Sequence, residues 1–285
     1  MDAVTGRNIA LTGVPRSGTT LACQLLNRAD NTVALFEPID VDQMPTAPLS
    51  ACVDQIEAFM AATRAQVLAT GTAPSKHVNG QVPDNLFGPG GGDIERTAQA
   101  EPGTIAISVR GADFTLVIKH NAMFTAALKA LASRIDTFAI VRNPLAVLGS
   151  WNSVGLPVRD GRIPVGERLD PMLARRLEQE TGVLERQIIV LDWFFTQYAT
   201  HLARHRVLAY EEIVASQGRT LFERLGLRGP ADDTLSERNA STAYRRDHID
   251  RCADALRSRN GAWNVWYPRD AIDGLHARMV AAAQS

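Results

Sequence analysis

Gly13-Val14-Pro15-Arg16-Ser17-Gly18-Thr19-Thr20 lies between a short apolar run, Asn8 to Thr12, and a segment in which Leu21, Leu25 and Leu26 recur at helical spacing. A glycine-containing turn between strand and helix presents backbone N–H groups and the positive end of the helix dipole, the chemistry that holds a phosphate. The Gly13 to Gly18 spacing is that of a Walker A loop, which would continue with Lys and then Ser or Thr, the lysine neutralising terminal phosphates and the hydroxyl binding Mg²⁺. Thr19 stands where that lysine would be. The cation of the loop is Arg16, in the middle of the turn, where it suits one phosphate and its bridging oxygen better than a triphosphate. A second anion position follows the apolar run Thr137 to Val141. A P-loop NTPase commonly ends such a strand with an Asp that helps hold Mg²⁺, and here the residue is Arg142. Ser150 comes roughly two helical turns later, on the face of the helix entrance. These residues imply a nucleotide with two separated phosphates, bound without metal.

The elements that must position these residues can be read from periodicity. Asn8 to Thr12 and Val33 to Phe36 read as strands, with a helix from Thr19 between them, and Glu37-Pro38 ends the second strand because the residue before proline is pushed out of helical geometry. Ile56, Phe59, Met60, Thr63 and Val67 mark the buried stripe of a helix from about Ala51 to Ala69. The stretch 71–103 is rich in Gly and Pro, includes Gly88-Pro89-Gly90-Gly91-Gly92, and reads as a long irregular loop. Strands are expected at Thr104 to Val109, Thr115 to Lys119 and Thr137 to Val141, with a helix from Asn121 to Ser133. Another helix opens at Pro144, capped by Asn143. A second interrupted loop, 154–166, precedes a mostly helical region to His205, a strand from Val207 to Tyr210, a helix from Glu211 to Leu225 and a helical, arginine-rich tail over 234–285. Alternating strands and helices predict an α/β fold of three layers, with a central parallel sheet covered on both faces. The expected organisation is one domain over 1–285, with 71–103 and 154–166 as its long loops.

Composition excludes several function classes. The chain has 285 residues, 30 Lys+Arg against 31 Asp+Glu, and 45% hydrophobic residues, enough for a full-sized core and incompatible with disorder. A formal charge of −1 gives no electrostatic footprint for nucleic acid or an anionic membrane. All basic residues except Lys76, Lys119 and Lys129 are arginines. Cys23, Cys52 and Cys252 are scattered without metal-ligand spacing. The first residues lack the apolar run of a signal peptide, and no stretch of about 18 apolar residues occurs, so a cytoplasmic protein is expected.

On the residues Pro15-Arg16-Ser17-Gly18-Thr19-Thr20, and on Arg142 followed by Ser150, the sequence resembles the PAPS-dependent sulfotransferase superfamily, whose donor is 3′-phosphoadenosine 5′-phosphosulfate. The arginine-bearing loop is similar to that of tyrosylprotein, carbohydrate and many bacterial sulfotransferases. Val207-Leu208-Ala209-Tyr210-Glu211-Glu212-Ile213 also resembles the family's late strand and the turn after it. The resemblance implies a P-loop type sulfotransferase fold with a five-stranded parallel sheet and the donor across the strands' carboxyl ends. It implies donor binding by Arg16, Ser17, Gly18, Thr19, Thr20, Arg142 and Ser150. Arg259, in Arg259-Asn260-Gly261, matches loosely the family's late loop over the 3′-phosphate.

The implied reaction is metal-independent, in-line transfer of a sulfuryl group from PAPS to a hydroxyl or amine of a small-molecule acceptor, with 3′,5′-ADP as product. Arg16 then stabilises the bridging oxygen electrostatically. The general base is Glu37, in Leu35-Phe36-Glu37-Pro38, or His120, in Lys119-His120-Asn121, each at the end of an expected strand. Lys119 is a further donor-binding or substrate-binding candidate. The alternatives are a P-loop small-molecule kinase and a non-catalytic nucleotide-binding protein of the same fold. Acceptor identity and oligomeric state are not legible in the sequence.

Overall fold

The computed structural model describes residues 6–87, 98–230, 234–240 and 244–282. In chain order the strands are β1 (Asn8–Gly13), β2 (Thr32–Phe36), β3 (Thr72–His77), β4 (Glu101–Ala106), β5 (Thr115–Lys119), β6 (Asp136–Val141) and β7 (Val207–Ala209). The helices are α1 (Thr19–Leu26), α2 (Leu49–Thr70), α3 (Ala122–Ala126), α4 (Leu128–Leu131), α5 (Pro144–Trp151), α6 (Pro164–Leu169), α7 (Pro171–Gln179), α8 (Val183–His201), α9 (Tyr210–Ala215), α10 (Arg219–Leu225), α11 (Arg246–Arg257) and α12 (Arg269–Ala282). Among the described residues no helix is long and apolar enough to cross a membrane.

Five strands form a parallel sheet in the order β2-β5-β1-β6-β7, flanked by helices. Its apolar runs explain the layering. All five residues of β2 are buried, and β1, β5 and β6 are buried beyond their first residue, so both faces are covered. The register aligns the carboxyl ends, since Lys119 lies opposite both Leu11 and Phe36, Gly13 opposite Ile140, and Val141 opposite Ala209. The residues that leave these ends are therefore Glu37, His120, the loop from Gly13, Arg142 and Tyr210, arrayed along one edge where open parallel sheets bind ligands.

The structure corrects the reading of 71–103 as irregular. Thr72–His77 pairs antiparallel with Glu101–Ala106 in a separate two-stranded sheet. Pro74 concealed β3, because proline cannot donate to a ladder; here it stands opposite Thr104 in a hairpin of only two strands. The strand expected at Thr104 to Val109 begins three residues earlier for the same reason, since its register is set by β3. Gly88 to Gly92 fall outside the described residues. Two expected helices are also divided: that from Asn121 becomes α3 and α4, and that from Glu211 becomes α9 and α10, parted at Gly218 with φ 86°. Within 154–166 the chain forms a 3₁₀ turn, Pro157–Asp160, and the start of α6.

Candidate functional site at the carboxyl ends of the strands

The loop after β1 folds tightly under its own weight of backbone contacts. Gly18 adopts φ 89°, and a Cβ there would lie 2.7 Å from the Tyr210 ring, so only glycine lets the loop pass under that ring. A Cβ on Gly13 would meet the Ile140 carbonyl at 2.5 Å. Ser17 locks the turn, its N–H donating to the Val14 carbonyl at 3.0 Å and its buried hydroxyl to the Ile140 carbonyl at 2.8 Å. The Ser17 hydroxyl thus ties the loop to the end of β6. Trp151, fully buried, donates to the Pro15 carbonyl at 2.8 Å and fixes the loop from beneath. Gly18 caps α1 with no side-chain bond, so the first-turn N–H groups keep their positive field beside Thr19 and Thr20.

A cavity of about 820 Å³ spans the strand ends, lined by Arg16, Thr19, Thr20, Arg142, Ser150 and Tyr210 on one side and by Glu37, Lys76 and Lys119 on the other. Arg16, at φ 72°, donates from Nε to the Ser150 hydroxyl at 3.1 Å and from Nη1 to Asn85 Oδ1 at 3.4 Å, and stacks 4.6 Å above the Phe87 ring. Arg142 is buried, donating from Nη1 to the Arg16 carbonyl at 3.0 Å, from Nε to Asn239 Oδ1 at 2.6 Å and from Nη2 to the Arg238 carbonyl at 2.5 Å. Its guanidinium lies 4.7 Å from the Tyr210 ring centre. Asn239 is steadied by Glu211, which also accepts from the Asn143 N–H and the Tyr267 hydroxyl. The two arginine positions are neighbours, bridged by one carbonyl.

On the β2–β5 side, Glu37 Oε1 accepts from Lys119 Nζ at 2.7 Å and Oε2 from Lys76 Nζ at 2.8 Å. Burial alone would raise the Glu37 pKa, but the Lys119 ammonium, with that of Lys76, holds it well below the usual carboxylate range. His120 stands in the same row with a different role. Its Nε2 accepts from the Ile39 N–H at 3.2 Å, which places the ring proton on Nδ1, and burial pushes its pKa down to about 3, against the pull of the Glu37 carboxylate. The ring is packed 5.5 Å from Phe124 and is absent from the described cavity lining. His120 thus engages its acceptor nitrogen with a backbone N–H, whereas the Glu37 carboxylate lines the cavity. Cys23 is buried near this cluster with its thiol pushed up to about 12, which leaves no thiolate there.

No family model and no curated protein matches the chain. Among solved structures it is similar to the sulfotransferase domain of the Synechococcus PCC 7002 olefin synthase, at 12% identity and a TM-score of 0.39, over 100% of this chain and 96% of that one. It is also similar to sulfotransferase STF1 from Mycobacterium tuberculosis H37Rv, at 13% identity and a TM-score of 0.37, over 98% of this chain and 78% of that one.

The structure thus brings Arg16, Gly18, Thr19, Thr20, Arg142, Ser150 and Glu37 to one cavity. It does not bring Arg259 there. Arg259 donates to Glu185 Oε2 at 2.5 Å and to the Ala255 carbonyl at 2.8 Å, beside a separate surface pocket of about 350 Å³. Arg238, from the segment 234–240, lines the main cavity instead, and its N–H donates to the Tyr210 hydroxyl at 3.2 Å. Sequence reasoning passed over Arg238, Lys76, Asn85 and Phe87. Lys76 carried a signal, as one of three lysines in an arginine-dominated chain; the others sit in segments with no periodicity to place them.

Proposed function

We propose that the protein is a sulfotransferase that moves the sulfuryl group of PAPS to a hydroxyl or amine of a small-molecule acceptor and releases 3′,5′-ADP. One observation carries the reading: Arg16 and Arg142 occupy adjacent strand ends, linked through the Arg16 carbonyl, in a cavity that also holds Glu37 between two ammonium groups. A metal-dependent phosphotransferase would carry a lysine at Thr19 and a carboxylate at Arg142. Guanidinium groups instead meet phosphate oxygens directly.

The donor set fits such a nucleotide. PAPS would supply an activated sulfuryl group on a phosphate leaving group. Thr19 and Thr20, with the first-turn N–H groups of α1, would hold the 5′ end, and Arg16 the bridging oxygen as charge develops there. Arg142 has five N–H donors, of which three meet protein acceptors among the described residues, so donors remain for the 3′-phosphate beside Ser150. Glu37 is a weak base, and this suits a proton taken late. The acceptor oxygen becomes strongly acidic only once its bond to sulfur has formed, and Glu37 is ionised and ready to receive that proton. Lys76 and Lys119 would meanwhile offset charge on the sulfuryl oxygens. Leu86, Leu156, Val158 and Ile163 also line the cavity, a surface for an apolar acceptor body.

Calorimetry with 3′,5′-ADP tests the reading: binding of equal strength in Mg²⁺ and in EDTA is expected. Absence of binding removes the proposal, and Mg²⁺-dependent ATP binding would turn it to a kinase. A screen of small-molecule alcohols and amines with labelled PAPS, read by mass spectrometry, then finds the acceptor.

A further inference from the structure

The chain after β3 reaches Arg16, in the glycine loop, through Asn85 and Phe87. Phe87 is buried, with its ring 4.6 Å from the Arg16 guanidinium carbon. Asn85 Oδ1 accepts from Arg16 Nη1 at 3.4 Å and from the Phe87 N–H at 3.3 Å, so one amide oxygen fixes both partners of the stack. The segment is itself anchored: Phe87 bridges to Ala98, and the Gln99 N–H donates to the Leu86 carbonyl at 2.9 Å. Ser150 holds Nε of the same guanidinium at 3.1 Å.

An arginine side chain is long and rotamer-rich, and Arg16 begins from a left-handed backbone, φ 72°, that no regular element directs. A group that stabilises developing charge acts best when its donors are fixed before the charge appears. Here the face, Nη1 and Nε are held by three different residues, which determines the plane of the guanidinium. The aromatic face attracts the cation and keeps water from that side, which strengthens its remaining electrostatics.

We propose that Asn85 and Phe87 are positioning residues for Arg16: the segment from the β3–β4 hairpin holds the guanidinium plane against the glycine loop. The catalytic consequence rests on the sulfotransferase reading; the positioning itself does not. Two readouts separate them. The rate of phenylglyoxal modification at Arg16, followed by peptide mass spectrometry, needs no nucleotide. Single-turnover release of 3′,5′-ADP from PAPS in water needs no acceptor. Phe87→Leu keeps apolar bulk and removes the ring face, and is expected to speed Arg16 modification severalfold and slow ADP release about tenfold. Affinity for 3′,5′-ADP should stay within about twofold. Phe87→Tyr should match the wild type in all three. Asn85→Ala, which leaves the buried ring in place, should give the same pattern as Phe87→Leu in weaker form. Wild-type modification rates in Phe87→Leu and Asn85→Ala would overturn the proposal, as would Phe87→Tyr behaving like Phe87→Leu. Faster modification in variants of a protein that binds no 3′,5′-ADP would leave the positioning standing and remove the sulfotransferase reading.

Discussion

Glu37 is held between the ammonium groups of Lys76 and Lys119, at 2.8 and 2.7 Å. Its folded pKa is depressed, so its stabilising contribution is full above the ordinary carboxylate value and is lost only as pH falls through the depressed one. The carboxylate therefore stays charged throughout the range in which enzymes are assayed. The acid limb of a pH–rate profile should show no inflection near pH 4 to 5 from this group. Glu37→Gln keeps the shape and removes the proton acceptor, and turnover should fall by about 10² or more with donor affinity nearly unchanged. His120→Gln should leave turnover within a few-fold, since the ring acts as an acceptor for the Ile39 N–H and not on a reacting atom. Rate measurements on the two variants check this, and a reversed order would return the base to His120. Both residues were legible as strand-end candidates. What separated them was not, because it depends on the neighbours that burial and folding supply: two lysines for one, a backbone N–H for the other.

Among the elements, α2 shows how the sheet is held from the end remote from the site. Arg64, fully buried on this helix, donates to the Asn8 side chain at 2.7 Å, the Phe114 carbonyl at 2.8 Å and the Arg7 carbonyl, and stacks 4.5 Å from the Phe114 ring. Arg7 and Phe114 immediately precede β1 and β5, and Asn8 opens β1, so one guanidinium joins the amino ends of two adjacent strands to a helix. Arg64→Met removes three hydrogen bonds and the stack on Phe114 and leaves the buried Phe114 carbonyl without its Arg64 donor, while the Arg7 carbonyl keeps the Leu116 N–H, and should cost roughly 3 kcal/mol. Denaturant unfolding measures the loss, and 3′,5′-ADP affinity of the folded variant should be unaltered, because the site lies at the opposite strand ends. The helical period revealed α2 but gave Arg64 no mark among so many arginines. The same contrast runs through the fold. Strands with continuous apolar runs, β1, β5 and β6, were legible to within a residue, since burial on both faces dictates their composition. The β3–β4 hairpin was legible only in part, as a strand from Thr104, because its residues alternate weakly, include prolines and owe their conformation to pairing with a segment far along the chain.

At the scale of the whole molecule, near-neutral charge hides a division among the arginines. Arg134 pairs with Asp54 and Glu57, and Arg257 with Asp254 and Asp273, where they balance the surface and contribute little individually. Arg142 faces two carbonyls, the Asn239 amide and the Tyr210 ring, and among the described residues no carboxylate pairs with it. A buried cation left with neutral partners is one whose charge is available to a ligand. Because Arg16 follows β1 and Arg142 follows β6, a nucleotide with a phosphate at each position would join neighbouring strand ends across the switch in strand order, and its binding should stabilise the sheet as a unit. At a concentration of about 100 times Kd this linkage amounts to about 2.7 kcal/mol. In a chain of this size that is a rise in Tm of about 5 °C. Thermal melts should therefore show a larger rise with 3′,5′-ADP than with 5′-AMP at equal concentration. Arg142→Ala should abolish the difference by lowering the 3′,5′-ADP shift to that of 5′-AMP, which makes no use of a 3′-phosphate site. Equal losses for both nucleotides would mean that Arg142 acts through the loop it supports at the Arg16 carbonyl, and not on the 3′-phosphate.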